Sequence, residues 1–177
     1  EGGGGMFGHG GGMAGGGMGG GGFPTGQEYS FIFYNGRCIY PENGETSPGT
    51  KLVMPSEVCY DKKAKFTLSE KGNLKHVQTG YCVQSEGGRP KDGTPIVIAE
   101  GCKKKRWSFT MTPGGSLKLT KSGKCVQPLT GSTDPLPVEK LVFDNNCDKP
   151  QSKFQIEGNI CFCRFTSYVV KPMLSRC

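Results

Sequence analysis

The chain has 177 residues, 30 of them Gly and 9 Cys, with a formal net charge of +7. That length suits one domain with appendages, and no apolar run reaches the roughly 18 residues a membrane-crossing helix needs, so membrane insertion is not expected. Only His9 and His76 are present, and the GxxxxGK(S/T), HExxH and GxSxG motifs are all missing, so the sequence argues against an enzyme, a cofactor or a bound metal.

In chain order the first element is a low-complexity tail, residues 1–26. Between Glu1 and Gly22 stand 15 Gly, half of the chain's total. The start at Glu1 carries no basic segment followed by an apolar one, so any signal peptide is expected to have been removed. Gly-Gly-Gly-Met occurs three times, ending at Met6, Met13 and Met18, with Phe7 and Phe23 interspersed. A Gly-rich chain has high conformational entropy and little side-chain area to offset it, which describes a flexible linker. Against that stands the freedom of Gly backbones to approach one another closely, with adaptable Met and Phe to fill apolar sockets. On the second reading the tail is an assembly element, and its partner is another copy of the chain.

The body, residues 27–160, is built from strands. Phe31-Ile32-Phe33, Leu74-Lys75-His76-Val77 and Leu117-Lys118-Leu119 alternate or run apolar for a few residues and then meet a turn. Phe66-Thr67-Leu68, Trp107-Ser108-Phe109 and Phe154-Gln155-Ile156 alternate with the period of a half-buried strand. Pro95 to Ile98 and Glu139 to Phe143 add further strands, and Asn43-Gly44, Asp92-Gly93 and Pro113-Gly114-Gly115 supply turns. No helical stripe of three turns is visible.

These strands repeat. Gly72-Asn73-Leu74, Gly115-Ser116-Leu117 and Gly158-Asn159-Ile160 recur at a spacing of 43 residues. Gly36-Arg37-Cys38-Ile39, Gly80-Tyr81-Cys82-Val83 and Gly123-Lys124-Cys125-Val126 recur at 44 and 43. Cys59, Cys102 and Cys147 follow at 43 and 45, and a basic residue beside an aromatic one closes each unit: Lys65-Phe66, Arg106-Trp107 and Lys153-Phe154. Three units, at about 29–72, 73–115 and 116–159, with four short strands each, predict a closed all-β fold with threefold pseudosymmetry. Residues 161–177 form an extension rich in β-formers, an extra strand by its pattern, carrying Cys161, Cys163 and Cys177.

The Gly-x-Cys-Val of the units, Asp92-Gly93-Thr94-Pro95-Ile96, the second cysteine about twenty residues after the first, and the closing aromatic followed by Gly-x-Leu/Ile resemble the ricin-type β-trefoil lectins. The resemblance spans about Gln27 to Ile160. It implies a β-trefoil whose disulfides close within units: Cys38–Cys59, Cys82–Cys102 and Cys125–Cys147. Cys161, Cys163 and Cys177 would then be left over, and an odd cysteine suggests an intermolecular bond or a free thiol. Cys161 and Cys163 alternate in a strand and point to opposite faces, so shared zinc is not expected. So many cysteines point to a secreted, extracellular protein.

The resemblance also implies where sugar chemistry should sit: an Asp two residues after the first cysteine, and a stacking ring two before the second. Tyr40, Gln84 and Gln127 occupy the first position and Glu57, Glu100 and Asn145 the second. The Gln of the family's Gln-x-Trp signature is missing from Ala64-Lys65-Phe66, Lys105-Arg106-Trp107 and Ser152-Lys153-Phe154. Asp92 or Asp144 could substitute from another loop, although Asp92 reads first as a turn residue before Gly93. Free galactose or lactose is therefore not expected to bind. The run Lys103-Lys104-Lys105-Arg106 is either a patch for anionic glycans or a solvated loop. Without interleaved aromatics it does not suggest nucleic acid. Two functions follow. One is a self-assembling building block of an extracellular fibre, matrix or adhesive, joined by its tail and spare cysteines; the other is a glycan-binding lectin with an altered sugar site.

Overall fold

A computed structural model describes residues 26–102 and 105–158. The tail residues Met6, Phe7, Met13, Met18 and Phe23, together with Lys103, Lys104, Cys161, Cys163 and Cys177, lie outside them.

Twelve strands fall into three sets of four. The first unit holds β1 (Glu28–Phe33), β2 (Tyr40–Pro41), β3 (Thr50–Val53) and β4 (Phe66–Leu68). The second holds β5 (Leu74–His76), β6 (Cys82–Ser85), β7 (Thr94–Ala99) and β8 (Phe109–Met111). The third holds β9 (Leu117–Leu119), β10 (Cys125–Pro128), β11 (Leu141–Asp144) and β12 (Phe154–Gly158). All pairings are antiparallel. The outer strands of the units close a ring: β12 pairs with β1, β1 with β4, β4 with β5, and β8 with β9. The bridges Asn73–Ser108 and Ser116–Lys153 complete it. The inner strands form hairpins, β2 with β3, β6 with β7 and β10 with β11. The hairpins join across units through Thr50 opposite Ile98 and Pro95 opposite Val142. This is a β-trefoil.

Period-two alternation explains the core. Phe66 and Leu68, Leu74, Leu117 and Leu119, and Phe31 and Phe33 all point inward and are buried. Phe31 meets Phe66 edge-on at 6.0 Å, Phe33 meets Phe154 at 5.4 Å, and Phe109 stacks on Phe143 at 6.2 Å. Close-packed aromatic contacts of this kind dominate core energetics. Before each first cysteine the chain turns at Gly36, Gly80 or Gly123, with φ of 80°, 70° and 74°. Only Gly adopts that backbone without a steric penalty, which is why the Gly-x-Cys triplet recurs.

The register corrects one expectation. Phe66 stands opposite His76 and Phe109 opposite Leu119, each at the head of its strand. The preceding turns match as well: the amides of Lys65, Ser108 and Lys153 donate to the carbonyls of Lys62, Lys105 and Pro150. The equivalent aromatics are therefore Phe66, Phe109 and Phe154. Trp107, two residues before Phe109, corresponds to Ala64 and Ser152, and fills the core at 1% exposure. The dipeptide Arg106-Trp107 is thus two residues out of step with Lys65-Phe66, and Ser108 stands where the other units carry Lys65 and Lys153.

Candidate functional site

Each unit is closed at its rim by a disulfide: Cys38–Cys59, Cys82–Cys102 and Cys125–Cys147. Cross-links over loops of this length contribute about 3 kcal/mol apiece by restricting the unfolded chain. They also fix the residue before each first cysteine beside the loop that arrives from the preceding unit. Three junctions result, and a different chemistry occupies each.

Between the second and third units, the Asp92-Gly93 turn docks on β11, with the Gly93 amide donating to the Phe143 carbonyl at 2.9 Å. That places the Asp92 carboxylate against Lys124 and Asn145. The Lys124 ammonium donates to Asp92 Oδ1 and, at 2.9 Å, to Asn145 Oδ1. The Asn145 amide donates to Asp92 Oδ2 at 2.9 Å. The Asp92 side chain remains 52% exposed while Lys124 is mostly covered. Between the third and first units, Asn35 Nδ2 donates to Asp134 Oδ1 at 3.3 Å, and Arg37 donates to the Pro135 carbonyl. The adjacent Tyr34 is exposed. Between the first and second units, the equivalent position is Tyr81, half-buried against the core, and the incoming loop brings Pro48 and Gly49 instead of an acid.

The positions that the lectin resemblance assigns to the sugar acceptor are occupied within the fold. Tyr40 is buried, and its hydroxyl donates to Asp61 Oδ2 at 2.8 Å. Burial, then that bond, pushes the phenol up to about 12. The Lys63 amide, and next the Tyr40 hydroxyl, hold the Asp61 carboxyl below its usual value. Gln84 donates to the Glu100 carbonyl at 2.9 Å, and the buried Gln127 accepts from Ser152 Oγ at 3.4 Å. None of the three can turn to a ligand without breaking an internal contact. Glu57 and Glu100 are exposed acids, and Asn145 belongs to the Asp92 cluster. Asp144 accepts from the Asn146 amide nitrogen at 3.0 Å, which ties it into its own turn.

His76 is wholly buried, with Nε2 2.9 Å from the Lys63 carbonyl and Nδ1 2.9 Å from Thr79 Oγ1. A carbonyl needs a donor, so Nε2 carries the proton and Nδ1 accepts from Thr79. Burial keeps the imidazole neutral by lowering its pKa. It is a core residue. No group of three or more potential metal ligands occurs among the described residues.

The basic run divides. Lys105 and Arg106 lie on a short 3-10 turn, and Arg106 donates to the Gly88 carbonyl at 3.0 Å. Lys105 faces a different concavity, lined also by Lys71 and Lys121. Sequence reasoning missed both of these lysines, because they are far from Lys105 in the chain and only the hairpin register brings them near it. It also missed Lys124, although Lys124 immediately precedes a repeat cysteine.

An Asp92–Lys124–Asn145 cluster offers a carboxylate with lone pairs to spare beside an ammonium and a primary amide. That is a donor and acceptor set suited to vicinal hydroxyls. Several solved structures share the fold. A ricin B-like lectin from Macrolepiota procera, solved with lactose, is 15% identical over 76% of this chain and 97% of its own, with a TM-score of 0.63. The C-half of an earthworm R-type lectin, solved with GalNAc, is 10% identical over 75% of this chain and 99% of its own, at 0.62. The designed 3-fold symmetric protein ThreeFoil is 16% identical over 73% and 96%, at 0.64. No curated protein matches the sequence. The family model described as MytiLec, alpha-D-galactose-binding lectin, matches residues 32–106 and again 72–172, the two matches overlapping. With its three-unit trefoil and a match that spans most of the body, the chain belongs to the MytiLec lectin family.

Proposed function

We propose that this protein is an extracellular glycan-binding lectin that acts by binding rather than by catalysis, holding galactose-type sugars at Asp92, Lys124 and Asn145. The observation that carries this reading is the exposed Asp92 carboxylate set between two donors at an inter-unit junction. The family match supports the ligand class. The reading departs from the expectation that galactose would not bind, which rested on Tyr40, Gln84 and Gln127. Here the acceptor carboxylate comes from the neighbouring unit, so those positions need not supply one. Three disulfides suit an oxidising compartment and support the extracellular placement. The building-block alternative rests on the tail and on Cys161, Cys163 and Cys177, which lie outside the described residues, and the family match favours binding over it.

Calorimetric titration with methyl α-D-galactopyranoside tests the proposal. The wild-type protein should show saturable binding, and Asp92→Asn should weaken it at least tenfold, a loss of about 1.4 kcal/mol. Absence of saturation, or equal affinity in the variant, rejects the assignment.

A further inference from the structure

Where β5, β8 and the β9–β10 turn meet, a concavity of about 490 Å³ opens on the surface, lined by Lys71, Asn73, Lys105, Ser108, Thr120 and Lys121. Its origin lies in the broken repeat. In the first unit Lys65 crosses this place and its ammonium donates to Ser30 Oγ at 2.8 Å. In the third, Lys153 does the same, donating to Ser116 Oγ at 3.0 Å and to the Cys147 carbonyl at 2.9 Å. In the second unit the equivalent residue is Ser108, whose short side chain stops at the Lys71 carbonyl, 3.2 Å away. It lies so close to Gly72, with φ of +78°, that a Cβ there would stand 2.3 Å from its hydroxyl. The space beside Ser108 that a lysine stem takes in the other two units is thus bounded here by Ser108 and by the buried Asn73, which stands where those units carry Ser30 and Ser116.

Cations surround the opening rather than fill it. Lys71 replaces Gly114 of the next unit, beside which the Lys153 ammonium sits. Lys105 corresponds to Pro150 in the third unit, and Lys121 to Gln78 of the preceding hairpin turn. All three lysines are exposed, and among the described residues none has a carboxylate within salt-bridge distance, the four such pairs being made by Arg37, Lys51, Lys124 and Lys140. The acid nearest in sequence, Glu70, lines an adjoining concavity and not this one. A volume of this size accommodates a small ligand, and three unpaired ammonium groups with the Ser108 and Thr120 hydroxyls select an anion.

We propose that this pocket is a second carbohydrate site, specific for a sulfated sugar, in which Lys71, Lys105 and Lys121 receive the sulfate monoester and the sugar ring enters the space left by Ser108. It is separate from the Asp92 cluster in residues and in ligand charge, so either can fail alone.

The test is calorimetric titration of the full chain with a heparin-derived hexasaccharide and its desulfated counterpart, which keeps the carboxylates. The sulfated form should bind, the desulfated form at least tenfold more weakly, with affinity falling steeply as salt rises. Lys121→Ala and Lys71→Ala should each weaken binding about fivefold or more, whereas Lys62→Ala, an equal loss of charge on another unit, should not. Ser108→Lys is the sharpest variant. It adds a positive charge yet fills the pocket as Lys65 and Lys153 fill theirs, and should abolish binding. Equal affinity for both hexasaccharides, equal losses in all three alanine variants, or tighter binding by Ser108→Lys would show charge attraction without a site and overturn the proposal. Asp92→Asn should leave the hexasaccharide affinity unchanged.

Discussion

Phe66, Phe109 and Phe154 occupy one place in the three units and do one thing: each is buried at the head of a barrel strand. Arg37, Tyr81 and Lys124 also occupy one place, before the first cysteine, yet they make three unrelated sets of contacts. The difference shows where the repeat constrains the chain. At this place close packing against the neighbouring strands keeps an aromatic in every unit, although the buried place two residues earlier takes Ala64, Trp107 or Ser152. A rim residue meets one incoming loop, and that loop can carry Asp92, Pro48 or Asp134 without disturbing the barrel. Chemistry therefore varies on the rim while the fold holds.

The widest separation between the two regions should appear in stability. Phe109→Ala removes a large side chain at 2% exposure and should cost about 3–5 kcal/mol in denaturant unfolding. Asp92→Asn should fall within about 0.5 kcal/mol of the wild type. Comparable losses for both would mean that the rim is structural after all. Next in size, replacing Cys82 and Cys102 together by Ser should cost about 3 kcal/mol, since the bridge they form closes a loop of 20 residues in sequence separation. The sugar titration of that variant, if folded, should match the wild type, because the Asp92 junction lies at a different disulfide.

A smaller effect comes from the buried His76. Its folded pKa lies below the ordinary imidazole value of 6.5, so the unfolded chain takes up the proton first. Stability should be full above about pH 6.5 and fall as pH drops below it. Asp61, whose folded pKa is also lowered, adds its own loss only in stronger acid, below its ordinary value of 3.8. Urea unfolding at pH 7.5 and 5.0 should show the decline, and His76→Gln should flatten it. An unchanged slope in the variant would place the titration elsewhere.

Much of the barrel was legible in the sequence because the residues that make it act locally. Alternating apolar positions, Gly before each first cysteine and the 43-residue spacing each report a constraint within one unit. The aromatic at the end of the middle unit was misaligned because Trp107 and Phe109 are both buried aromatics two residues apart, and only the pairing of Phe109 with Leu119 separates them. Spacing carried the same signal, since Phe66 to Phe109 is 43 residues and Phe66 to Trp107 is 41. The rim was less legible. Asp92 was visible as a turn residue, but its partners Lys124 and Asn145 belong to another unit, and the contact depends on how β7 meets β11. The pocket at Ser108 was hidden for the same reason, with lysines drawn from three separate turns.

The most direct test of a sugar site at an inter-unit junction is a backbone-amide NMR titration with methyl α-D-galactopyranoside. Saturable shifts should centre on Asp92 to Thr94, Lys124 and Asn145, leaving the amides of Tyr40, Gln84 and Gln127 in place. Shifts centred on those three residues, or no saturable shifts anywhere, would contradict the account.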